Sequence, residues 1–145
     1  MNDWEFSAER LLQQASGNQS AMFMVSLAYA KQRDGSVDGW AGFVGDQFAD
    51  SWNSMRDRGA REVARIAGLN FASSADSKFV RLEGDEQRAE AVIEGPDPEW
   101  LEGTGVTNED NDRANELIFG KIAAHLGLSL AVRRDEEGLH LVFSR

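Results

Sequence analysis

The chain has 145 residues, with 25 acidic against 15 basic side chains, a formal net charge of −10, 41% hydrophobic residues and no cysteine. That is the composition of a single globular domain large enough to bury a core without disulfides or a structural metal. It excludes thiolate metal sites, thiol catalysis and disulfide scaffolds, and it disfavours phosphate backbones and anionic lipid as partners.

Met1, Asn2 and Asp3 lead straight into an amphipathic segment, so no targeting segment is expected. Asp3 is positioned to cap a first helix carrying Trp4, Ala8, Leu11, Leu12 and Ala15, with Gly17 as its stop. Ser20 can cap a second helix, to about Arg33, that is apolar nearly all round through Met22, Phe23, Met24, Val25 and Leu27. Its longest apolar stretch, Ala21 to Ala30, is far short of the ~20 residues that span a membrane. After Asp34 and Gly35, Ser36 opens a long third helix with Trp40, Phe43, Val44, Phe48, Trp52, Met55, Val63 and Ile66, closed by Gly68.

Beyond Gly68 the apolar period changes from helical to alternating. Lys78 to Glu83 and Arg88 to Glu94 read as a hairpin. Gly95-Pro96-Asp97-Pro98 breaks it, and an acidic loop runs on to Val106. Thr107 and Asp110 have the spacing of a capping box and open a fourth helix with Ala114, Leu117, Ile118, Ile122 and Leu126 inward, ended by Gly127. A second hairpin, Leu128 to Arg134 and Leu139 to Ser144, turns at Asp135-Glu136-Glu137-Gly138. The expected fold is α+β, one domain over residues 1–145. Three N-terminal helices (1–68) precede a hairpin–helix–hairpin part (77–145), whose two hairpins join into a four-stranded antiparallel sheet covered by helices.

Chemistry-bearing residues are sparse. His125, in the last turn of the fourth helix, suits the exposed carbonyls and dipole there, and His140, between Leu139 and Leu141, is expected on the opposite, solvent-facing side of its strand. Neither has a ligand partner at a recognised spacing, so no metal site and no cofactor is expected. The acidic run Asn108 to Asp112 lacks the glycine and distal glutamate of an EF-hand loop and suits a helix N-terminus. The third helix stands out. Gly42 and Gly45 are interleaved with aromatic residues, so either another helix packs closely there or a flat ligand approaches the backbone. The ligand-binding candidates are Trp40, Phe43, Phe48 and Trp52 as apolar walls, with Tyr29 or Arg56 as the polar contact.

Ala91-Val92-Ile93-Glu94-Gly95-Pro96, Asn115-Glu116-Leu117-Ile118-Phe119-Gly120, Leu128-Ser129-Leu130-Ala131-Val132 and Gly138-Leu139-His140-Leu141-Val142-Phe143 lie within residues 79–143. With these segments the chain resembles the vinyl-reductase-type small-molecule-binding domains and the related aminothiazoline-carboxylate hydrolase-like proteins. Gly95, Asn115 and Leu141 stand where those families carry thiols, so the resemblance transfers architecture and no thiol- or metal-dependent activity. It implies a dimeric sensor or assembly module with a pocket for a small, often apolar molecule. Three functions follow as expectations. The first is a cytoplasmic, homodimeric domain that binds a small apolar or aromatic molecule and neither nucleic acid nor membrane. The second is a metal-independent hydrolase of a small heterocycle that uses carboxylates from Glu94 to Glu102 with His125. The third is a structural module whose apolar first or second helix packs on another protein. The dimer is expected because three apolar helical segments exceed what one sheet face can cover.

Overall fold

A computed structural model describes residues 2–145 of the chain. Helix α1 spans Ala8–Asp34, α2 Asp38–Ala49 and α3 Ala60–Ala72, with a 3-10 turn over Asp50–Met55 between the last two. Strands β1 (Lys78–Gly84) and β2 (Arg88–Glu94) follow, then the short α4 (Pro98–Leu101), α5 (Asn108–His125), β3 (Ser129–Arg134) and β4 (Leu139–Ser144). All pairings are antiparallel, in the order β1-β2-β4-β3, so the two hairpins join through β2 and β4. The fold is α+β, with three N-terminal helices ahead of the sheet.

The boundaries of those helices differ from the sequence expectation. The first two predicted helices are one: α1 runs through Gly17 and Ser20 without a break, starting at Ser7 rather than Asp3. The Ser7 hydroxyl accepts from the Arg10 amide at 3.2 Å, and Gly35, at φ 73°, turns the chain out at the far end. A glycine inside a helix costs about 1 kcal/mol, less than ending one helix and nucleating another. The predicted third helix is instead two. Asp50, Ser51, Asn53 and Ser54 offer the backbone local hydrogen bonds, such as Ser51 Oγ to the Phe48 carbonyl at 2.6 Å, and the helix tightens to 3-10 and stops. Asp57 and Gly59, both at positive φ, then re-aim the chain into α3. Gly68 lies buried inside α3, where a Cβ would stand 2.4 Å from the Phe79 ring of β1.

The hairpins and α5 follow the sequence closely. Thr107 and Asp110 complete a capping box, each side chain bonded to the other's backbone amide, although aspartate stands where glutamate is usual. The predicted acidic loop holds α4, begun by Asp97, whose carboxylate accepts from the Glu99 amide at 3.1 Å.

One sheet face, with Ala89, Ala91, Ile93, Leu139, Leu141 and Phe143, packs against α3 and α5 and forms the core with Met24, Leu27, Val63 and Ile122. The opposite face carries a charge network. His140 is on that face, as expected, but it is not exposed: only 1% of it meets solvent. Its Nδ1 lies 2.6 Å from Glu90 Oε1 and its Nε2 2.7 Å from Asp135 Oδ1, while Arg133 bridges the same two carboxylates at 3.0 and 2.6 Å. Arg81 ties Glu83 of β1 to Glu137 of the last turn at 2.7 and 2.6 Å.

Both carboxylates beside His140 titrate below their ordinary values. Burial raises Glu90, but the hydrogen bond and charge of His140, helped by Arg133, outweigh it. The His140 hydrogen bond depresses Asp135 most, with the Glu137 amide and Arg133 adding to it. Depressed carboxylates contribute stability that is fully present above their unfolded values, near the ordinary 4.5 and 3.8, and lost as pH falls through the lower folded ones. Stability should therefore fall from about pH 4.5 downward, and His140→Gln should flatten that acid limb. Equal acid slopes for both proteins in urea titrations would contradict this.

Candidate functional site

A cavity of about 700 Å³ opens between α1, α2, the 3-10 turn and α3 and reaches down to α5 and the sheet. Its mouth is framed by exposed residues: Gln19 and Met22 of α1, Phe48 of α2, Ser51 of the 3-10 turn, and Asn70 and Ser73 at the end of α3. Its floor is buried, formed by Ile93 and Leu139 of the sheet and Ile118, Phe119 and Ile122 of α5.

Aromatic rings form much of the wall. Phe23 and Trp40 meet edge to face with centroids 5.6 Å apart, and Trp52 stands perpendicular to Phe119 at 6.1 Å. Phe71 stacks on Phe119 at 5.5 Å. With Phe48 these make six rings around one space.

Three of the six predicted binding residues, Trp40, Phe48 and Trp52, line this cavity. The other three do not. Phe43 is 63% exposed on the outer side of α2, because five residues of helix turn it about 140° away from Phe48. Tyr29 is 61% exposed on α1, and its hydroxyl accepts from Arg33 at 3.4 Å. Arg56 lies outside, with its Nη2 3.3 Å from His125 Nε2. Gly45 serves helix packing: a Cβ there would lie 2.9 Å from Lys121 Cβ and 3.1 Å from Ile118 Cα of α5. Gly42 faces open space.

The polar groups of the wall come from residues outside the six predicted for binding. Ser20, 1% exposed, accepts from the Ala75 amide at 2.9 Å and donates to Asp76 Oδ1 at 3.1 Å. Ser77 donates to the same oxygen at 3.3 Å, while Asp76 Oδ2 accepts nothing among the described residues. On α5, Asn111 and Asn115 are each 5% exposed. Asn115 Nδ2 donates to the Asn111 carbonyl at 3.0 Å, and its Oδ1 accepts no hydrogen bond among the described residues. Asn111 Oδ1 likewise accepts none, and since no fully enclosed side-chain oxygen or nitrogen lacks a partner, both oxygens are reachable on residues that line the cavity. The signal was present in the sequence: Asn111 and Asn115 share the stripe of Ile118 and Ile122, polar groups at inward-facing positions.

The residues of the hydrolase expectation are not brought together. His125 sits at the C-terminal end of α5, where its Nε2 lies 2.6 Å from Asn53 Oδ1 and 3.7 Å from Asp50 Oδ1. The segment from Glu94 to Glu102 precedes the other end of that 18-residue helix, about 27 Å away. The acidic run at the start of α5 is taken up by cations, Asp110 by Lys31 at 2.6 Å and Asp112 by Arg134. Burial raises the Asp110 carboxyl, but Lys31 and Thr107 together hold it below the usual carboxylate range. Among the described residues no group of three or more acidic or imidazole side chains is placed to hold a metal ion.

No protein-family model, curated protein or solved structure matches this chain.

Proposed function

We propose that the chain is a binding domain for a small aromatic or apolar molecule, held in the cavity between the helical layer and the sheet. The observation that carries this reading is the join of six aromatic rings to three lining residues that each carry a side-chain oxygen without a partner, Asp76 Oδ2, Asn111 Oδ1 and Asn115 Oδ1, around one space of about 700 Å³ that is open at one end. Apolar pockets of this size with a few convergent polar groups suit small ligands.

The polar chemistry narrows the ligand. These free oxygens accept, so the ligand carries N–H or O–H donors on a flat apolar body. A chain of net charge −10 with a carboxylate in the wall disfavours anions, leaving a neutral or cationic molecule. Trp40 and Trp52 report its arrival, since a planar guest beside them alters their fluorescence.

A thermal-shift screen of neutral and cationic heteroaromatic compounds, read beside tryptophan fluorescence, tests this. A ligand at 100 times its Kd should add about 2.7 kcal/mol of stability. Ser26→Trp, which places an indole at the half-buried rim, should abolish the shift while leaving the fold intact. A broad screen without a hit, or a shift that survives Ser26→Trp unchanged, overturns the reading.

A further inference from the structure

Helix α1 is apolar on two sides, and only one is used. Ser20, Met24, Leu27 and Ala30 turn into the core. On the other side Ala8, Leu11, Ala15, Asn18, Met22, Val25 and Tyr29 are all exposed, with spacings alternating strictly between three and four. That is the heptad spacing of a helix seam that packs against a second helix. The seam extends along nearly the whole 27-residue helix, about 40 Å. Every residue from Ala8 to Ala15 is exposed, so this half of α1 extends beyond the body.

We infer that α1 pairs with α1 of a second copy of this chain, antiparallel, through this seam. Charge selects the occupant. Although 28% of the chain is charged, no Asp, Glu, Lys or Arg occurs between Arg10 and Lys31. Two copies of net charge −10 repel over most of their surfaces, and this stretch is where they approach without like charges opposed. Its flanks, Gln14, Gln19 and Ala21, carry no charge that would select a different helix or an anionic lipid surface. A single polar residue, Asn18, lies at the centre of the seam, and such a residue fixes register and partner number.

Side-chain volume selects the direction. The first half of the seam is small, with Ala8 and Ala15 beside Leu11, and the second half is large, with Met22, Val25 and Tyr29. Parallel pairing sets alanine against alanine and tyrosine against tyrosine, which leaves voids at one end and crowding at the other. Antiparallel pairing sets Ala8 against Tyr29, Ala15 against Met22 and Leu11 against Val25, with Asn18 against Asn18 at the centre, so volume is even along the seam. It also lays the protruding half of each helix along its partner's Met22, which frames the cavity mouth.

Sedimentation equilibrium without any ligand tests the pairing apart from the binding reading. The chain should sediment at twice its 16.0 kDa at micromolar concentration. Leu11→Glu with Val25→Glu, at two exposed positions outside the cavity lining, should return it to one chain with unchanged helical circular dichroism. Because the chain has no cysteine, direction can be read by thiol cross-linking. Ala8→Cys mixed with Tyr29→Cys should cross-link through a short bifunctional reagent, and Ala8→Cys alone should not. A single-chain mass for the unsubstituted protein overturns the inference, with or without binding to neutral phosphatidylcholine vesicles. A two-chain mass that survives both glutamates also overturns it, and cross-linking of Ala8→Cys with itself overturns the antiparallel direction.

Discussion

Gly138→Ala should destabilise the protein by about 3 kcal/mol or more. Gly138 closes the turn into β4 at φ 138°, a conformation that side-chain-bearing residues rarely adopt, and it is buried. A Cβ there would lie 2.1 Å from the Ile93 carbonyl oxygen and 3.2 Å from Glu94 Cα. Both atoms are backbone of the central strand β2, which pairs with β4 on one side and β1 on the other, so neither can yield without opening the sheet. The strain of the dihedral and the clash act together. Urea denaturation should show the lower midpoint, and a loss below about 1 kcal/mol would mean that the turn relaxes freely.

Trp52→Ala should cost about 3 kcal/mol, the lower end of the range for large buried aromatics. Trp52 is 8% exposed and packs edge-on against Phe119, so its removal takes away a contact between the 3-10 turn and α5. The loss stays at the lower end because the vacated space joins a cavity that is already open, and its other neighbours lose little. Trp40, half-buried on α2 with one edge contact to Phe23, should cost less when truncated to alanine. Chemical denaturation of both variants orders them, and a larger loss at Trp40 would reverse the assignment of wall and core.

The hairpins were legible because alternation and turn residues agree there: Gly84-Asp85 and Asp135 to Gly138 sit between strands whose inward apolar residues keep period two, except at the irregularity between Phe79 and Arg81. The capping box was legible because it is local. Helix boundaries in the first half were not, since Gly17 and Ser20 carry the same chemistry as a stop and a start, and only the cost of a second nucleation decides against them. The burial of His140 depends on Glu90, 50 residues away, and on a turn whose carboxylate folds back over the ring. Nearness in sequence misled for the site. Trp40, Val44 and Phe48 share a face of α2, whereas Phe43, inside the same aromatic run, does not. The acceptors on Asp76 and Asn115 come from segments that nothing local connects to that run.

The sheet ends at β1 on one side and β3 on the other, and each edge presents unpaired amides and carbonyls that could template an added strand. Both edges are guarded. Between Phe79 and Arg81 the β1 register slips, so the outer rim of that strand is irregular, and Lys78 and Arg81 flank the irregularity. Strand β3 ends in Arg133 and Arg134, both engaged by acidic partners. Cationic side chains and an interrupted ladder oppose fibrous, edge-to-edge growth, so an aggregating chain would first have to lose the irregular rim of β1 or the paired arginines of β3.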